Sequence, residues 1–582
     1  MRRSTRQRRP PARFADYVPH DQVSFEALTE PTPDLFKDQL QAYMLSNDPD
    51  VLYLWQAMKE PDWLQFQAAM QHEIDEHEKN GNWEIVLRSA IPKHTPVLPA
   101  VWSMKRKRRI TTREVYKWKA RLTIDGSKQR YGLHYDQTYS PVVTWATTRF
   151  FLTQSVLHNW HSPQLDFLMA YTQAPVEREL YMEIPKGVTV NGGLDHSKYA
   201  LRLVKNLYGQ KQAGRVWYQY LTKGLKELGF RQSTVDECVF YKGTCVLLIY
   251  VDDTIILGPV KQDVDDAIRL VQTRFKLGEE GDLCDYLGIR VTKLPDGTIT
   301  LTQPHLINTI LTDLNLQTAR TTGRSTPALS SVLLHRDPQR LPFNKSFHYG
   351  SVIGKLNFLE KSTCPELAYA VHQCARFCTD PKRSHGEAVK HIGRYLLATK
   401  DQGLILKPTT NTFDCLVDAS HAGEWKKQTA ADDPDTAKSR TGYVIMFAGC
   451  PLVWSSKLQT EIALSSTEAE YIALSTVTRE IIHLIDFLRE AKTNNIQINV
   501  ENAAIHCKIF EDNSGAIEMA KVPKMRPRTK HLNIKYHHFR QHVQSGLLSI
   551  HAVSTDDQIA DIFTKPLNET TFQLHRRKIN GW

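Results

Sequence analysis

The chain has 582 residues and 41% hydrophobic content, enough for about four globular domains of ordinary size. Its net charge of +11 favours a polyanionic partner such as nucleic acid, and its apolar runs are too short to span a bilayer, so we expect no membrane partner. The nine cysteines follow no disulfide-like spacing, which favours a reducing compartment.

The N-terminal region, residues 1–60, starts with an arginine-rich segment and is interrupted by proline and aspartate. Because this start has no apolar core, it is not a secretory signal. We predict a basic, mostly disordered lead-in. Apolar side chains then recur at helical spacing, which predicts an amphipathic helix that begins near Trp63. These side chains are Phe66, Met70, Ile74 and His77.

Two basic strands are predicted next, Val101–Ile110 and Val115–Thr123, joined by a turn at Thr111–Arg113. In the second strand, cationic residues alternate with apolar ones, so one face is expected to be cationic and the other to pack inward. The cations are Lys117, Lys119 and Arg121. The pattern fits a phosphate-binding face and an ordinary solvated face equally well.

The following segments alternate between helix and strand. Phe150–Trp160 has a helical pattern, Leu180–Ile184 is strand-like, and a further helix begins within Leu207–Arg215. Between the first two, Asp166 leads into Phe167–Tyr171 at the end of a predicted strand. A carboxylate at a strand end can face a cleft, so Asp166 is the first candidate metal ligand.

Val246–Gly258 has two apolar arms of strand length that flank the adjacent carboxylates Asp252 and Asp253. This pattern predicts a hairpin that buries both arms and carries the aspartates at its tip. Since buried charge is costly unless it is paired or bound to a metal, the aspartates should face a cleft or a cation. Their hard oxygen atoms suit Mg²⁺, with Mn²⁺ as the alternative. Taken alone, the motif also fits an exposed Asp-Asp turn.

Nucleotidyl transfer needs metal ions held by carboxylates from separate elements. Asp166 and the hairpin pair would supply such a set, with Asp166 and Asp252 as the principal ligands and Asp253 closing the site. Further along, Val264–Phe275 is predicted to be a helix, and Tyr286–Thr292 to form a hairpin with Thr298–Leu301. Residues 302–400 are mainly helical in pattern.

A fresh alternating segment near Phe413 marks a domain boundary and begins an α/β unit. Four acids lie on four predicted elements of this unit, which is what two-metal hydrolysis of a phosphodiester requires. The acids are Asp418 after a strand, Glu470 in the first turns of a long helix, Asp512 at the end of a short strand and Asp561 in the closing helix. Singly, each acid also fits an ordinary helix N-terminal residue.

In this order, the motifs resemble the reverse transcriptases of copia-type long-terminal-repeat retrotransposons, over nearly all of the chain from Trp63 to Leu567. The resemblance rests on Lys117–Leu122, Tyr139–Val143, Asp166–Tyr171, Tyr181–Gly187, Leu207–Arg215, Tyr250–Asp253, Tyr286–Ile289, Ile353–Asn357 and Cys364–Tyr369. It implies an α+β right-hand polymerase followed by an α/β ribonuclease H-like domain. The implied bounds are 61–295 for fingers and palm, 296–410 for a helical thumb and connector, and 411–582 for the ribonuclease H-like domain.

The resemblance also implies roles around the incoming nucleotide. Tyr171 would be the steric gate against a 2′-hydroxyl, with a plain core tyrosine as the alternative. Gln212 would contact the nucleotide near the base pair, with a plain helix N-terminal residue as the alternative. Lys119 and Arg121 would hold the triphosphate.

Other implied roles concern nucleic acid and the second acid set. Tyr286 and Gly288 belong to a segment that resembles the primer grip. Gly354 and Lys355 match a thumb helix that tracks the duplex. The family spacing favours Glu470 over its neighbour Glu468, and it makes Asp418, Glu470, Asp512 and Asp561 the ribonuclease H quartet.

The implied function is RNA-directed DNA synthesis with Mg²⁺, followed by degradation of the RNA strand of the hybrid. The implied partners are an RNA template, a DNA primer, the RNA–DNA hybrid and deoxynucleoside triphosphates, with integrase and capsid of the same element. The implied location is a cytoplasmic virus-like particle with nuclear entry. No nucleocapsid, protease or integrase motif is recognisable, so we expect a fragment, a processed product or a decayed copy. A catalytically inactive nucleic-acid-binding remnant is the alternative function.

Overall fold

The computed structural model describes residues 50–108, 114–318, 321–328, 334–336, 341–423, 425, 427, 433–498, 505–521 and 537–582, and Pro49–Trp582 form one structural unit. The predictions for residues 1–49 and for the turn at 111–113 lie outside the described residues. Across the described ranges, no helix has both the length and the apolar character needed to cross a membrane.

Two small sheets and a long helix form the first part of the described chain. The elements are β1 (Val51–Tyr53), α1 (Leu54–Ala57), α2 (Trp63–Lys79), β2 (Trp83–Leu87), β3 (Val97–Leu98), β4 (Ala100–Arg108) and β5 (Val115–Ile124). Strand β4 pairs with β1 on one side and with β5 on the other. Helix α2 has no internal glycine or proline, and its buried residues are the four that the spacing predicts. The three apolar ones share a cluster with Ala120 and Leu122 of β5, which confirms that this face of the strand packs inward.

A six-stranded sheet forms the middle of the chain. The elements are α3 (Trp145–Leu157), β6 (Pro163–Phe167), α4 (Ala170–Gln173), β7 (Tyr181–Met182), β8 (Tyr199–Leu203), α5 (Ala213–Glu227), β9 (Arg231–Gln232), β10 (Val239–Lys242), β11 (Cys245–Tyr250), β12 (Asp253–Leu257), α6 (Lys261–Gln272) and β13 (Leu277–Asp282). The sheet has the order β13-β6-β12-β11-β10-β9, whereas β7 and β8 join β2 and β3. Trp217 of α5 and Ile268 of α6 lie in one apolar cluster with Leu247 of β11. Because helices cover the sheet, both arms of the hairpin β11–β12 are apolar and buried, as predicted.

A mainly helical region follows, as predicted. The elements are β14 (Asp285–Tyr286), β15 (Ile289–Lys293), β16 (Ile299–Thr302), α7 (Pro304–Asp313), α8 (Tyr349–Ser362), α9 (Ala368–Ala375), α10 (Arg383–Thr399) and β17 (Leu404–Leu406). The four strands form a sheet in the order β14-β15-β16-β17, so the predicted hairpin of β15 and β16 is confirmed.

The last part of the chain is a five-stranded mixed sheet with helices. The elements are β18 (Phe413–Ser420), β19 (Arg440–Phe447), β20 (Cys450–Leu458), α11 (Ser466–Thr493), β21 (Cys507–Glu511), α12 (Ser514–Lys521), α13 (Arg540–Gln544), β22 (Leu548–Ala552) and α14 (Glu569–Asn580). The strand order is β20-β19-β18-β21-β22. The first three strands are antiparallel, β21 runs parallel to β18, and β22 runs parallel to β21.

The placement of Asp561 in the closing helix was wrong. Asp561 lies in a short 3-10 helix, Ile559–Phe563, that ends before α14 begins. Pro566 explains the break, because proline disfavours helical backbone in the residue before it and cannot donate an N–H to a continuing helix. The new helix then starts at its own cap, where Asn568 accepts a hydrogen bond from the backbone N–H of Thr571.

The six-stranded and five-stranded sheets are connected through helix α3. The buried guanidinium of Arg149 lies 3.9 Å from the ring centroid of Trp454 on β20 and donates to the Leu452 carbonyl at 2.5 Å. Phe150 packs edge-on against Phe447 of β19, with 5.2 Å between the ring centroids. The two carboxylate sets therefore lie on parts of the chain that are packed directly together.

Candidate active sites

The turn that carries Asp252 is a two-residue connection between β11 and β12. Tyr250 and Asp253 are directly paired, so Val251 and Asp252 form the loop. Val251 has a φ of 60°, which is unfavourable for a β-branched residue. Its carbonyl accepts a hydrogen bond from the indole N–H of Trp217 at 2.8 Å. The strained turn is therefore held by a buried side chain from helix α5.

Strand register brings Asp166 to this turn. Asp166 of β6 lies directly opposite Asp253 of β12, and the backbone N–H of Phe167 donates to the Asp252 carbonyl at 3.2 Å. All three acids are partly exposed. The three predicted palm acids thus occupy adjoining backbone positions where strands β6 and β11 end and β12 begins. There their side chains can reach solvent and ligand.

Two cations and two tyrosines lie beside these acids. The pKa of Lys119 is lowered to about 8, first by burial and then by Arg121 and Lys107, while Asp166 opposes the shift. The guanidinium of Arg121 lies 3.9 Å from the ring centroid of Tyr208, which in turn lies 4.7 Å from the ring centroid of Tyr171. Burial raises the pKa of Tyr208, and charges on Arg121, Asp252 and Asp166 also act on it.

Tyr208 was missed in the sequence. It lies within the Leu207–Arg215 segment that carries the resemblance, next to Gly209, whose φ of 88° allows the close approach of the Ile124 backbone. An aromatic residue before a glycine at the start of a helix was the available signal. This local pattern does not predict which residues contact Tyr208, because Arg121 and Tyr171 reach it only in the folded chain.

Gln212 lies in a buried cluster of glutamines. Its side-chain oxygen accepts a hydrogen bond from Gln129 at 3.0 Å, and only 4% of the residue is exposed. It caps the N-terminus of α5 without a side-chain cap bond. In this arrangement Gln212 is held by other protein groups, so its contact with a nucleotide stays a prediction.

The predicted nucleic-acid contacts differ in exposure. Tyr286 is 1% exposed, and burial, followed by the charge of Asp253, raises its pKa well above the ordinary value. Leu287 and Gly288 form the hairpin loop with φ values of 53° and 76°, as a tight two-residue turn requires. Gly354 borders open space on α8, whereas Lys355 is 1% exposed and its ammonium contacts Asp313 at 2.6 Å. The Lys355 ammonium is therefore inside the helical region and does not reach a surface that a duplex could contact.

The second carboxylate set converges more tightly. Asp418 at the end of β18, Glu470 in the second turn of α11 and Asp512 just after β21 each offer an oxygen atom within 4.8 Å of the other two. Glu468 instead turns back to the segment before the helix, where its carboxylate accepts the backbone N–H of Leu464 at 2.9 Å. The structure therefore brings Glu470, and not Glu468, into this group.

Asp561 faces the same group from the 3-10 helix. Burial raises its pKa to about 7, with a further contribution from Asp418, while the ion pair with Lys565 opposes the shift. The hydroxyl of Thr564 donates to the Asp418 carboxylate. Gly442 allows this approach, since a Cβ there would lie 2.6 Å from Thr564 Cγ2 and 2.7 Å from Phe563 Cβ.

A fifth acid, Glu511, was missed in the sequence. It is fully buried at the end of β21, and its Oε1 accepts the backbone N–H of Asn513 at 3.1 Å. Burial raises the pKa of Glu470 to about 11, and Glu511 is the charged neighbour that contributes most to this shift. In the sequence, the only feature that pointed to Glu511 was its position next to Asp512. Because side chains alternate along a strand, this pattern alone would place Glu511 on the face opposite to Asp512.

The donor chemistry of the second set fits a divalent cation. All of its donors are carboxylate oxygens, which Mg²⁺ and Mn²⁺ prefer. Among the described residues, Oε2 of Glu470 and Oε2 of Glu511 are buried and accept no hydrogen bond. Buried carboxylate oxygens that accept no hydrogen bond are costly, so a bound cation would stabilise them. The palm acids have the same donor type but a more open arrangement.

Comparison with known proteins identifies the first part of the chain. The family model described as reverse transcriptase (RNA-dependent DNA polymerase) matches residues 80–330, which include Lys119, Asp166 and the Asp252–Asp253 pair. The solved structure of a foamy viral protease-reverse transcriptase in complex with double-stranded DNA has a TM-score of 0.44 and 10% identity, covering 84% of this chain and 70% of that one.

Curated relatives cover nearly the whole chain. The retrovirus-related Pol polyprotein from transposon RE2 of Arabidopsis thaliana is 33% identical over 529 residues, which are 90% of this chain and 34% of the relative. The Pol polyprotein from transposon TNT 1-94 of Nicotiana tabacum is 31% identical over 545 residues, which are 91% of this chain and 39% of the relative. The chain thus spans little more than a third of these relatives. Residues 80–330 match the reverse transcriptase family, and about nine-tenths of the chain is similar to Pol polyproteins of transposons.

Proposed function

We propose that this chain is an RNA-directed DNA polymerase that also degrades the RNA strand of its hybrid product. The observation that carries the proposal is the alignment of Asp166 with the Asp252–Asp253 turn, beside Lys119 and Tyr171. The matching reverse transcriptase family supports the polymerase activity.

In this proposal the palm acids hold and orient the reacting groups. Asp166, Asp252 and Asp253 would hold Mg²⁺, which when bound would neutralise charge on the phosphates and favour the attacking primer 3′-hydroxyl. The primer hydroxyl attacks the α-phosphate of a deoxynucleoside triphosphate, and pyrophosphate leaves. Lys119 and Arg121 would attract the triphosphate, because they are cations on the strand that faces Asp166.

Tyr171 would exclude ribonucleotides by its ring. Its contact with Tyr208, itself stacked by Arg121, keeps the ring from moving freely. A fixed planar ring beside the sugar would clash with a 2′-hydroxyl and would leave room for a deoxyribose. This role would make the aromatic pair a specificity element.

The second site would hydrolyse the RNA strand of the hybrid. Support comes from the convergence of Asp418, Glu470 and Asp512, from Asp561 facing them, and from the mixed sheet that carries them. These acids would hold Mg²⁺, or Mn²⁺ in its place, to activate water. Phosphate contacts with little sequence preference would hold the duplex on both sites. Integrase and capsid partners, and residence in a virus-like particle with nuclear entry, belong to this proposal as properties of a transposon Pol protein.

Primer extension tests the polymerase. Wild-type protein and the Asp252→Asn, Asp253→Asn double variant are incubated with poly(rA)–oligo(dT), labelled dTTP and Mg²⁺. We expect incorporation by the wild type only. If neither protein incorporates dTTP while both still bind the duplex and remain folded, the chain is an inactive nucleic-acid-binding remnant and the proposal fails.

A further inference from the structure

Among the residues that the structure describes, Lys565 is the cation that forms an ion pair with the second carboxylate set. Its ammonium lies 2.9 Å from Oδ1 of Asp561, one helical turn back along the chain. The Asp561 side chain is 7% exposed and that of Lys565 is 44% exposed, so the ammonium reaches in from the rim. Lys565 belongs to none of the candidate site residues above and has no part in the proposed hydrolysis.

The segment after the 3-10 helix directs two consecutive side chains at the acids. Thr564 donates its hydroxyl to Asp418, while Lys565 places its ammonium on Asp561. The backbone N–H of each residue also donates to the Asp561 carbonyl, both at 3.1 Å. These two bonds fix the backbone that carries the ammonium relative to Asp561.

Repulsion among the carboxylates of this site explains why a cation lies beside them. Asp418, Glu470, Asp512 and Asp561 meet with Glu511 in a largely buried space, where like charges destabilise one another. The Lys565 ammonium, 2.9 Å from Asp561, is a positive charge at the rim of this acidic cluster. The ammonium therefore stabilises the carboxylates when no metal is bound.

We propose that Lys565 is the counter-ion of the metal-free site and is displaced from Asp561 when a divalent cation binds there. The inference rests on the proposed metal-dependent hydrolysis at this site. An ammonium 2.9 Å from a carboxylate oxygen opposes a metal ion at that oxygen, because two positive charges so close together repel each other. Lys565 thus lowers the affinity of the site for a divalent metal ion next to Asp561, so that the metal ion binds there reversibly.

The test is Mn²⁺ binding by isothermal titration calorimetry with the full chain, without nucleic acid. All proteins carry Asp252→Asn and Asp253→Asn, so that the palm acids do not contribute. Lys565→Met removes the competing charge and Lys565→Arg keeps it. Lys198→Met is the matched control, because Lys198 also pairs with an aspartate, at 3.4 Å from Asp195, on an exposed part of the first region. Asp418→Asn identifies the binding that belongs to the second set.

We expect Lys565→Met to bind Mn²⁺ about three- to tenfold more tightly, since a half-exposed ion pair and a repulsive charge are both removed. Lys565→Arg and Lys198→Met should stay close to the parent affinity. The Mg²⁺ concentration for half-maximal hybrid cleavage should fall in Lys565→Met in the same proportion.

Unchanged or weaker Mn²⁺ binding by Lys565→Met would overturn the counter-ion role. If the affinity for hybrid falls while Mn²⁺ binding is unchanged, Lys565 contacts phosphate; if only the melting temperature falls, it is a structural ion pair. Absence of any Mn²⁺ binding that depends on Asp418 would instead refute the proposed hydrolytic site itself.

Discussion

Replacing Trp217 by phenylalanine would remove one hydrogen bond from the turn that carries Asp252. The indole N–H donates to the Val251 carbonyl at 2.8 Å, while the ring packs edge-on against Phe167 and Phe275. Phenylalanine preserves an aromatic ring in this cluster but leaves the carbonyl without its donor. The turn depends on this bond, because a φ of 60° at a β-branched residue costs about 1–3 kcal/mol.

The expected loss follows from the hydrogen bond. A partly buried carbonyl that loses its donor costs about 1–2 kcal/mol. If this free energy is lost from the geometry that holds Asp252, kcat falls by about five- to thirtyfold. The assay is steady-state primer extension at saturating Mg²⁺, with kcat and the KM for dTTP measured separately. We expect the effect in kcat, because Trp217 touches the turn and not the nucleotide.

Trp102→Phe is the matched control. The Trp102 indole also donates to a backbone carbonyl, that of Lys186, at 3.0 Å, but it lies in the cluster of the first two sheets. Both variants should lower the melting temperature to a similar extent. The reasoning is refuted if the two variants have the same kcat, or if Trp217→Phe loses stability without losing kcat.

Three further predictions follow from the two sites. Val251→Gly should raise the free energy of unfolding by about 1 kcal/mol in chemical denaturation, since glycine accepts a positive φ, and should lower kcat because the turn becomes less rigid. Tyr171→Ala should raise ribonucleotide incorporation relative to deoxynucleotide incorporation by about tenfold, equivalent to ~1.4 kcal/mol; Tyr171→Phe should retain the wild-type ratio, and equal ratios in all three proteins would exclude the gate. In EDTA, the melting temperature should fall as the pH rises from about 4 to about 7, because burial raises the pKa of Asp561 and the folded state then prefers the protonated carboxyl. Asp561→Asn should flatten this part of the profile, and an unchanged slope would contradict the assignment.

Elements with a strong local pattern could be predicted from the sequence. The buried face of α2 follows from the spacing of Phe66, Met70, Ile74 and His77, and the hairpin around Asp252 from two apolar arms and a polar tip. The ordered motifs predicted the family that residues 80–330 match. These features depend on short stretches of chain, so the local pattern contains the information.

Features that depend on tertiary contacts could not be predicted. The 3-10 helix around Asp561 reflects Pro566, but the approach of Thr564 to Asp418 also requires Gly442 on another strand. Glu511 joins the second site because strand pairing buries it. Lys355 shows the converse, since a lysine on a helix is normally exposed and here Asp313 compensates its burial.

One experiment tests the central claim that the chain carries two separate metal-dependent sites. A poly(rA)–oligo(dT) substrate labelled on both strands reports DNA extension and RNA cleavage in the same Mg²⁺ reaction. The wild type should show both activities. Asp252→Asn should lose extension and retain cleavage of a preformed hybrid, whereas Asp418→Asn should retain extension and lose cleavage. If either variant loses both activities while remaining folded and bound to the substrate, or if neither loses any, the assignment of two independent sites is contradicted.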